Sequence, residues 1–223
     1  MPSIEPNYEG FKDFFTENRQ ESDYKFRHVN KNFERDFNDA LKNLHSSKGE
    51  QGGIAMSIFL RAIKYLFAAQ NLLLDGHQEE ARILLRNIVE LGLTGFLVAK
   101  SEEVFNLWKA CRQLRLKSER NGLIPYKEVK NQKFRFTEIV KKNKTLVDSD
   151  HRASGLFAYH NQFSEYISHE NLYCMIAKFD SSDGKTDIYV GQGAKSDNNR
   201  MIDDLDLMSQ LLVILKELKS ECE

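Results

Sequence analysis

Proline is nearly missing from this 223-residue chain: three residues, at positions 2, 6 and 125. The strongest helix breaker is thus absent from almost the whole length. Glycine is sparse too, and the two together make about 7% of the chain, where an average protein has about 12%. Cysteine occurs three times, as Cys111, Cys174 and Cys222, far apart and with no C-x-x-C pair. That excludes a disulfide framework and a four-cysteine zinc site. Neither sign of charge dominates, with 32 basic against 33 acidic residues and a net charge of −1. No long apolar run is free of charge. Ile54–Leu74 carries Arg61 and Lys64, and Ile83–Ala99 carries Arg86 and Glu90. Each such group costs a few kcal/mol at a bilayer centre, so both runs read as core helices. The opening MPSIEPNYEGFKDFF is acidic and lacks the apolar core of a signal peptide. The expectation is a cytoplasmic protein with no membrane partner. With 41% apolar and 29% charged residues, the chain has enough large apolar side chains for a packed core, which excludes intrinsic disorder.

What is present is helical periodicity. Phe26, Val29, Phe33, Phe37, Leu41 and Leu44 recur every three to four residues and mark one apolar stripe. The spacing predicts a second helix over about Gly53–Leu74, ended by Asp75-Gly76, and a third over about Gln78–Lys100. Their short link makes them antiparallel neighbours at the centre of a bundle. Gly92, Thr94 and Gly95 are small enough to permit close helix contact. Ser101 is placed to cap a fourth helix, Glu102–Glu119. Pro125 suits the first turn of a fifth, reaching about Lys144, and Asp148 or Ser149 is placed to cap a sixth, Asp150–His169. Alternation over Tyr173–Phe179, a turn-rich DSSDGK and then Asp187–Gly191 read as a hairpin. A last helix begins at Asp197. The fold class is therefore mainly α: an antiparallel helical bundle with a small β-hairpin before the C-terminal helix. Residues 1–48 read as an N-terminal helical extension and 49–223 as the bundle domain.

Charge is unevenly spread. Lys109–Lys144 holds twelve Lys or Arg and three Glu, net +9, whereas residues 197–223 are net −4. A cationic stretch raises the local concentration of anions, phosphate backbones among them. The alternative is a solvated face that pairs with the acidic termini.

Polar residues inside apolar segments are the candidates for chemistry. Arg86 and Glu90 stand at i, i+4 on the most apolar helix, either lining a polar pocket or forming a structural pair at the bundle rim. Within SGLFAYHNQFSEYISHENL, residues 154–172, His160, Ser164 and Ser168 fall on one face, and Glu165 and His169 form a second i, i+4 pair. A metal site needs three or four converging ligands, and Glu165 with His169 supplies two. A Ser164–His160 nucleophile pair lacks a glycine-rich oxyanion element. An imidazole such as His169, helped by a nearby arginine, suits acid–base work on a phosphodiester.

The segments EEARILLRNIVELG (79–92) and FSEYISHENL (163–172), followed by a hairpin and a closing helix, resemble a group of bacterial all-α proteins similar to the HEPN (higher eukaryotes and prokaryotes nucleotide-binding) superfamily. The resemblance covers about residues 50–215. It implies a helical bundle, a homodimer, RNA or nucleotide as partner, and metal-independent RNase chemistry in bacterial defence or stress, without a cofactor. The family's catalytic arginine and histidine have four to six residues between them. Arg152 and His160 are the nearest match, with seven residues between them. The resemblance further implies a polar cluster of Arg86, Glu90 and His169. A non-catalytic interaction protein, using Phe26, Phe33 and Phe37 as an interface, is the alternative.

Overall fold

The computed structural model describes residues 16, 19–20, 27–41, 49–121, 135–174, 178–180, 187–189 and 198–222; the side chains at 27–30, 79, 114–121, 165–174, 198–201 and in the two strands lie outside the description. The helices are α1 (Arg27–Leu41), α2 (Gly49–Leu74), α3 (Gln78–Lys100), α4 (Glu102–Asn121), α5 (Phe136–Lys142), α6 (Lys144–Asp148), α7 (His151–Cys174) and α8 (Asn198–Ser220). The chain is mainly α, as its low proline content and apolar periodicity predict. Pro125, and the aromatic residues before Arg27, fall outside the described residues.

The α2–α3 pair is the most extensive contact in the molecule. Gly76 closes α2 with φ +91°, a left-handed conformation that favours glycine. Its neighbour His77 donates its backbone N–H to the carbonyl of Leu72 at 2.8 Å, the six-residue loop of a Schellman turn. The chain therefore reverses at once. The Gln51 amide, at the start of α2, reaches the carbonyls of Val98 and Ala99 at the end of α3. The expected start at Gly53 is corrected here: α2 begins at Gly49, so Gly52 and Gly53 lie inside it, and of the three glycines only Gly49, with φ +72°, has a left-handed conformation.

Where α2 meets α3, the missing side chain at Gly95 makes room for the ring of Phe59; a Cβ there would lie 2.8 Å from it. On its other side α3 meets α7, where Gly92 faces Leu156, and α8, where it faces Leu215. Consecutive members of the set α2, α3, α7, α8 run in opposite directions, so α8 is parallel to α3. Arg82 meets Asp204 at one end of that pair and Lys100 meets Glu221 at the other. The core is aliphatic and aromatic, with Phe59, Ile63, Leu66, Leu85, Ile88, Leu93, Phe96, Leu156 and Leu205 buried completely or nearly so.

Helix starts follow local side-chain chemistry. The Ser101 hydroxyl accepts the Val104 N–H, capping α4 as expected. At α7 the cap is Asp150, not Asp148 or Ser149: its Oδ1 accepts the N–H groups of Arg152 and Ala153. Helix α7 runs to Cys174, five residues beyond the expected end.

Two segments of three residues, β1 (Lys178–Asp180) and β2 (Asp187–Tyr189), pair antiparallel with Phe179 opposite Ile188. They are far shorter than the hairpin read from the alternation, and an isolated pair of this length is not an independent structural unit. What carries the fold is helix packing.

Among the described residues, helix α1 packs on the bundle. Phe33 and Ala40 are buried in the common core, and Phe37 stacks on Phe67 of α2 with ring centroids 4.7 Å apart. Phe33 and Phe37, offered above with Phe26 as a partner interface, are thus spent on the chain's own bundle, and Phe26 lies outside the described residues. Helix α2 is long and apolar enough to cross a membrane by length and composition, and half of its most apolar window is buried within the protein.

A candidate polar site between helices α3 and α7

Arg86 and Glu90 lie one turn apart on α3, on the side turned to α7. The Arg86 Nε donates to Glu90 Oε1 at 3.3 Å. His160, from the middle of α7, brings its Nε2 to the same Oε1 at 3.2 Å. Because a carboxylate only accepts, the imidazole proton must sit on Nε2 in this bond. Antiparallel packing places Glu90 opposite His160, and the Gly92–Leu156 contact one turn away lets the two helices approach that closely.

His160 is enclosed. Its side chain is 10% exposed, the Phe136 ring of α5 lies 4.9 Å away and the Phe157 ring 6.4 Å. Its Nδ1 is buried without a hydrogen-bond partner. Glu90 and Arg86, by contrast, are 30% and 37% exposed. The hydrogen bond from His160, above all, holds the Glu90 carboxyl below its ordinary range; burial opposes this, and the charge of Arg86 assists. Glu90 is therefore ionised near neutral pH. Its Oε2 and both Nη groups of Arg86 have no partner among the described residues. The site thus offers a forked donor beside a bare acceptor.

The sequence-based candidates separate into two places. Arg86, Glu90 and His160 come together. Arg152 does not join them, although it shares α7 with His160: eight residues span about 12 Å along a helix. Its guanidinium is bound to Asp150 at 2.6 Å and to Glu221, which also takes Lys100 at 2.8 Å. Asp150 is pulled down to about 2, chiefly by the Arg152 side chain, and Glu221 is lowered chiefly by Lys100. Arg152 is raised in turn, chiefly by Asp150. This network ties the start of α7 to the end of α8. Ser164 donates its hydroxyl to the carbonyl of His160 at 2.7 Å, an intrahelical bond that does not touch the imidazole ring. Glu165 and His169 lie within α7, and their side chains fall outside the described residues.

Pairing His160 with Glu90 was missed in the sequence, where His160 was grouped with Ser164 and Ser168 on its own helix. The signal available was on α3: Arg82, Arg86 and Glu90 recur at steps of four. Arg82 is buried and held by Asp204 of α8 at 3.2 Å, and Gln78 donates to the same carboxylate at 2.7 Å. No group of three metal-ligating side chains converges among the described residues.

Helix α5 lies beside the polar site, seated on α3 and, through Phe136, on His160. It ends in Lys141 and Lys142, and Lys144 follows; all three are exposed and have no partner among the described residues. Among the other described side chains of the basic stretch the charges are engaged: Lys109 with Glu50, Arg135 with Glu138, and Arg112 over the Trp108 ring. A cavity of about 150 Å3, lined by Phe59, Phe96, Lys100, Glu221 and Cys222, lies at the other end of α3. No family model matches the chain, and no match was found among curated proteins or solved structures.

Proposed function

We propose that this chain is a HEPN-like helical protein of the cytoplasm that binds RNA or a nucleotide at Arg86 and Glu90, with His160 holding the Glu90 carboxylate in place. The observation that supports it most directly is the guanidinium fork of Arg86, open among the described residues, beside a helix that ends in lysines with no partner among them. A planar fork of donors suits bidentate contact to phosphate, and point charges nearby add sequence-independent attraction. Metal-independent cutting of RNA is the stronger form of the same reading. It would fall to the imidazole of His169 acting on the phosphodiester, since both ring nitrogens of His160 are withdrawn from a ligand and Arg152 is committed to carboxylates in the described structure. A homodimer belongs to the reading as well; Ile202 and Val213, eleven residues apart on α8 and so on one stripe, are 45% and 51% exposed.

The test is binding of purified protein to mixed RNA across a salt series, with and without EDTA, followed by gel analysis of the RNA. Salt-sensitive binding that weakens in Arg86→Ala and in the double variant Lys141→Glu/Lys142→Glu is the expected result. Cleavage that persists in EDTA and is lost in His169→Ala would establish the enzyme. Intact RNA with no salt-sensitive binding removes the reading.

A further inference from the structure

The polar site mixes charges in a way that simple phosphate binding does not call for. Among the described residues Arg86 leaves both Nη groups open, yet one turn away stands an ionised carboxylate whose Oε2 has no partner there either. A carboxylate beside a phosphate repels it, unless a hydrogen-bond donor on the ligand lies between them. The carboxylate is moreover fixed in place. Its Oε1 is held from one side by Arg86 Nε and from the other by His160 Nε2, so Oε2 is the oxygen left to a ligand. His160 itself cannot meet the ligand through either ring nitrogen: Nε2 is taken by Glu90, and Nδ1 is buried away from solvent. The imidazole is therefore a positioning group, enclosed by Phe136 and Phe157, and the carboxylate is the group that faces outward.

We infer that Glu90 is the residue that selects ribose over deoxyribose here: Oε2 accepts the 2′-hydroxyl of a ribonucleotide whose neighbouring phosphate rests on the Nη fork of Arg86. Side chains one helical turn apart stand about 5–6 Å apart at Cβ, a spacing that lets one nucleotide unit reach both. The 2′-hydroxyl is the donor that distinguishes RNA from DNA at a contact of this kind. Lys141, Lys142 and Lys144 attract either polyanion and supply no such distinction. This inference rests on the RNA-binding reading and adds the group that makes the binding specific.

The experiment is fluorescence anisotropy with an end-labelled 12-nucleotide RNA and the DNA of the same sequence, in EDTA, on the full chain. The wild type should bind the RNA about tenfold or more tightly than the DNA, the range of one hydrogen bond to a charged acceptor. Glu90→Gln, nearly isosteric, should bring the ratio within about twofold while DNA binding holds or rises. Arg86→Ala should weaken both ligands alike. His160→Leu should lower the ratio, and His160→Gln, which retains a donor, should restore part of it; a residue that only supports the fold would move both affinities together. Melting curves of each variant confirm that it is folded. Equal binding of RNA and DNA by the wild type, or an unchanged ratio in folded Glu90→Gln, overturns the inference and leaves nucleic-acid binding standing. Binding of neither ligand removes both.

Discussion

Two glycines in long helices predict opposite outcomes for the same substitution. Gly95 lies inside α3 and Gly155 inside α7. In a helix interior, alanine is favoured over glycine by about 0.5–1 kcal/mol, because glycine loses more backbone entropy on folding. At Gly155 a new Cβ meets nothing within 4 Å, so Gly155→Ala should stabilise by that amount. At Gly95 the Cβ would stand 2.8 Å from Cε1 of Phe59 and 3.0 Å from two further ring carbons, where carbon contacts settle at about 3.5–4.0 Å. Phe59 is fully buried, and its rigid ring can yield only toward the cavity of about 150 Å3 that it borders. Either the ring shifts toward that cavity or helices α2 and α3 part by several tenths of an ångström, and overpacking of this kind costs about 1–3 kcal/mol. Less the propensity gain, Gly95→Ala should destabilise by about 0.5–2 kcal/mol. In a chain of this size the two variants should differ in Tm by about 4–8 °C, with a matching spread in urea midpoints. If Gly95→Ala melts as high as Gly155→Ala, the α2–α3 contact is not as close as described and the reasoning fails.

Three other outcomes follow from the same contacts. Asp204→Ala strips the buried Arg82 guanidinium and the Gln78 amide of a shared acceptor and should cost about 3 kcal/mol in urea unfolding, against roughly neutral behaviour for the paired change Arg82→Met with Asp204→Leu. Asp150, lowered from 3.8 to about 2 with a side chain 17% exposed, adds stability that is complete above about pH 5 and fades as the pH falls through 2. Accordingly Asp150→Ala should cost about 2 kcal/mol at pH 7, where the cap and the ion pair are both lost, and little at pH 2; an equal loss at both would refute the assignment. Gly92→Ala wedges Leu156 and Leu215 from 3.0 Å contacts, and should weaken RNA affinity by lengthening the Glu90–His160 bond while shifting the urea midpoint little.

Helices were legible in the sequence where apolar periodicity met a local stop signal. The α2–α3 hairpin is the clearest example, since Asp75-Gly76 allows only a tight reversal there. The glycines at 52 and 53 misled because composition alone cannot show that a helix start packs against the end of its neighbour, which is what Gln51 does. The hairpin misled in the other direction: alternation marks extended backbone, but its length depends on packing that a six-residue pair does not have. For the polar site, the α3 half was visible because Arg86 and Glu90 are one turn apart on an apolar helix. Its other half depends on which residue of α7 falls opposite Glu90. That register is set by Gly92 against Leu156, a contact 64 residues apart in sequence and invisible to any local pattern.

Keeping an imidazole at that register brings the fold almost no stability, and the sum can be worked out. The bond from His160 to the ionised Glu90 contributes about 1.5–3 kcal/mol, whereas a buried nitrogen without a partner costs about 1–3 kcal/mol. Leucine has nearly the volume of histidine and suits a pocket walled by Phe136, Phe157 and the core. His160→Leu should therefore change unfolding free energy by no more than about 1 kcal/mol, since Glu90 keeps Arg86 and remains partly hydrated. Binding should respond quite differently, because Oε2 is no longer held at a fixed position. Urea unfolding and RNA anisotropy on the same preparation compare the two. A loss above about 3 kcal/mol would mean that the polar trio exists to hold α3 against α7, and a structural requirement would then account for His160 without any ligand.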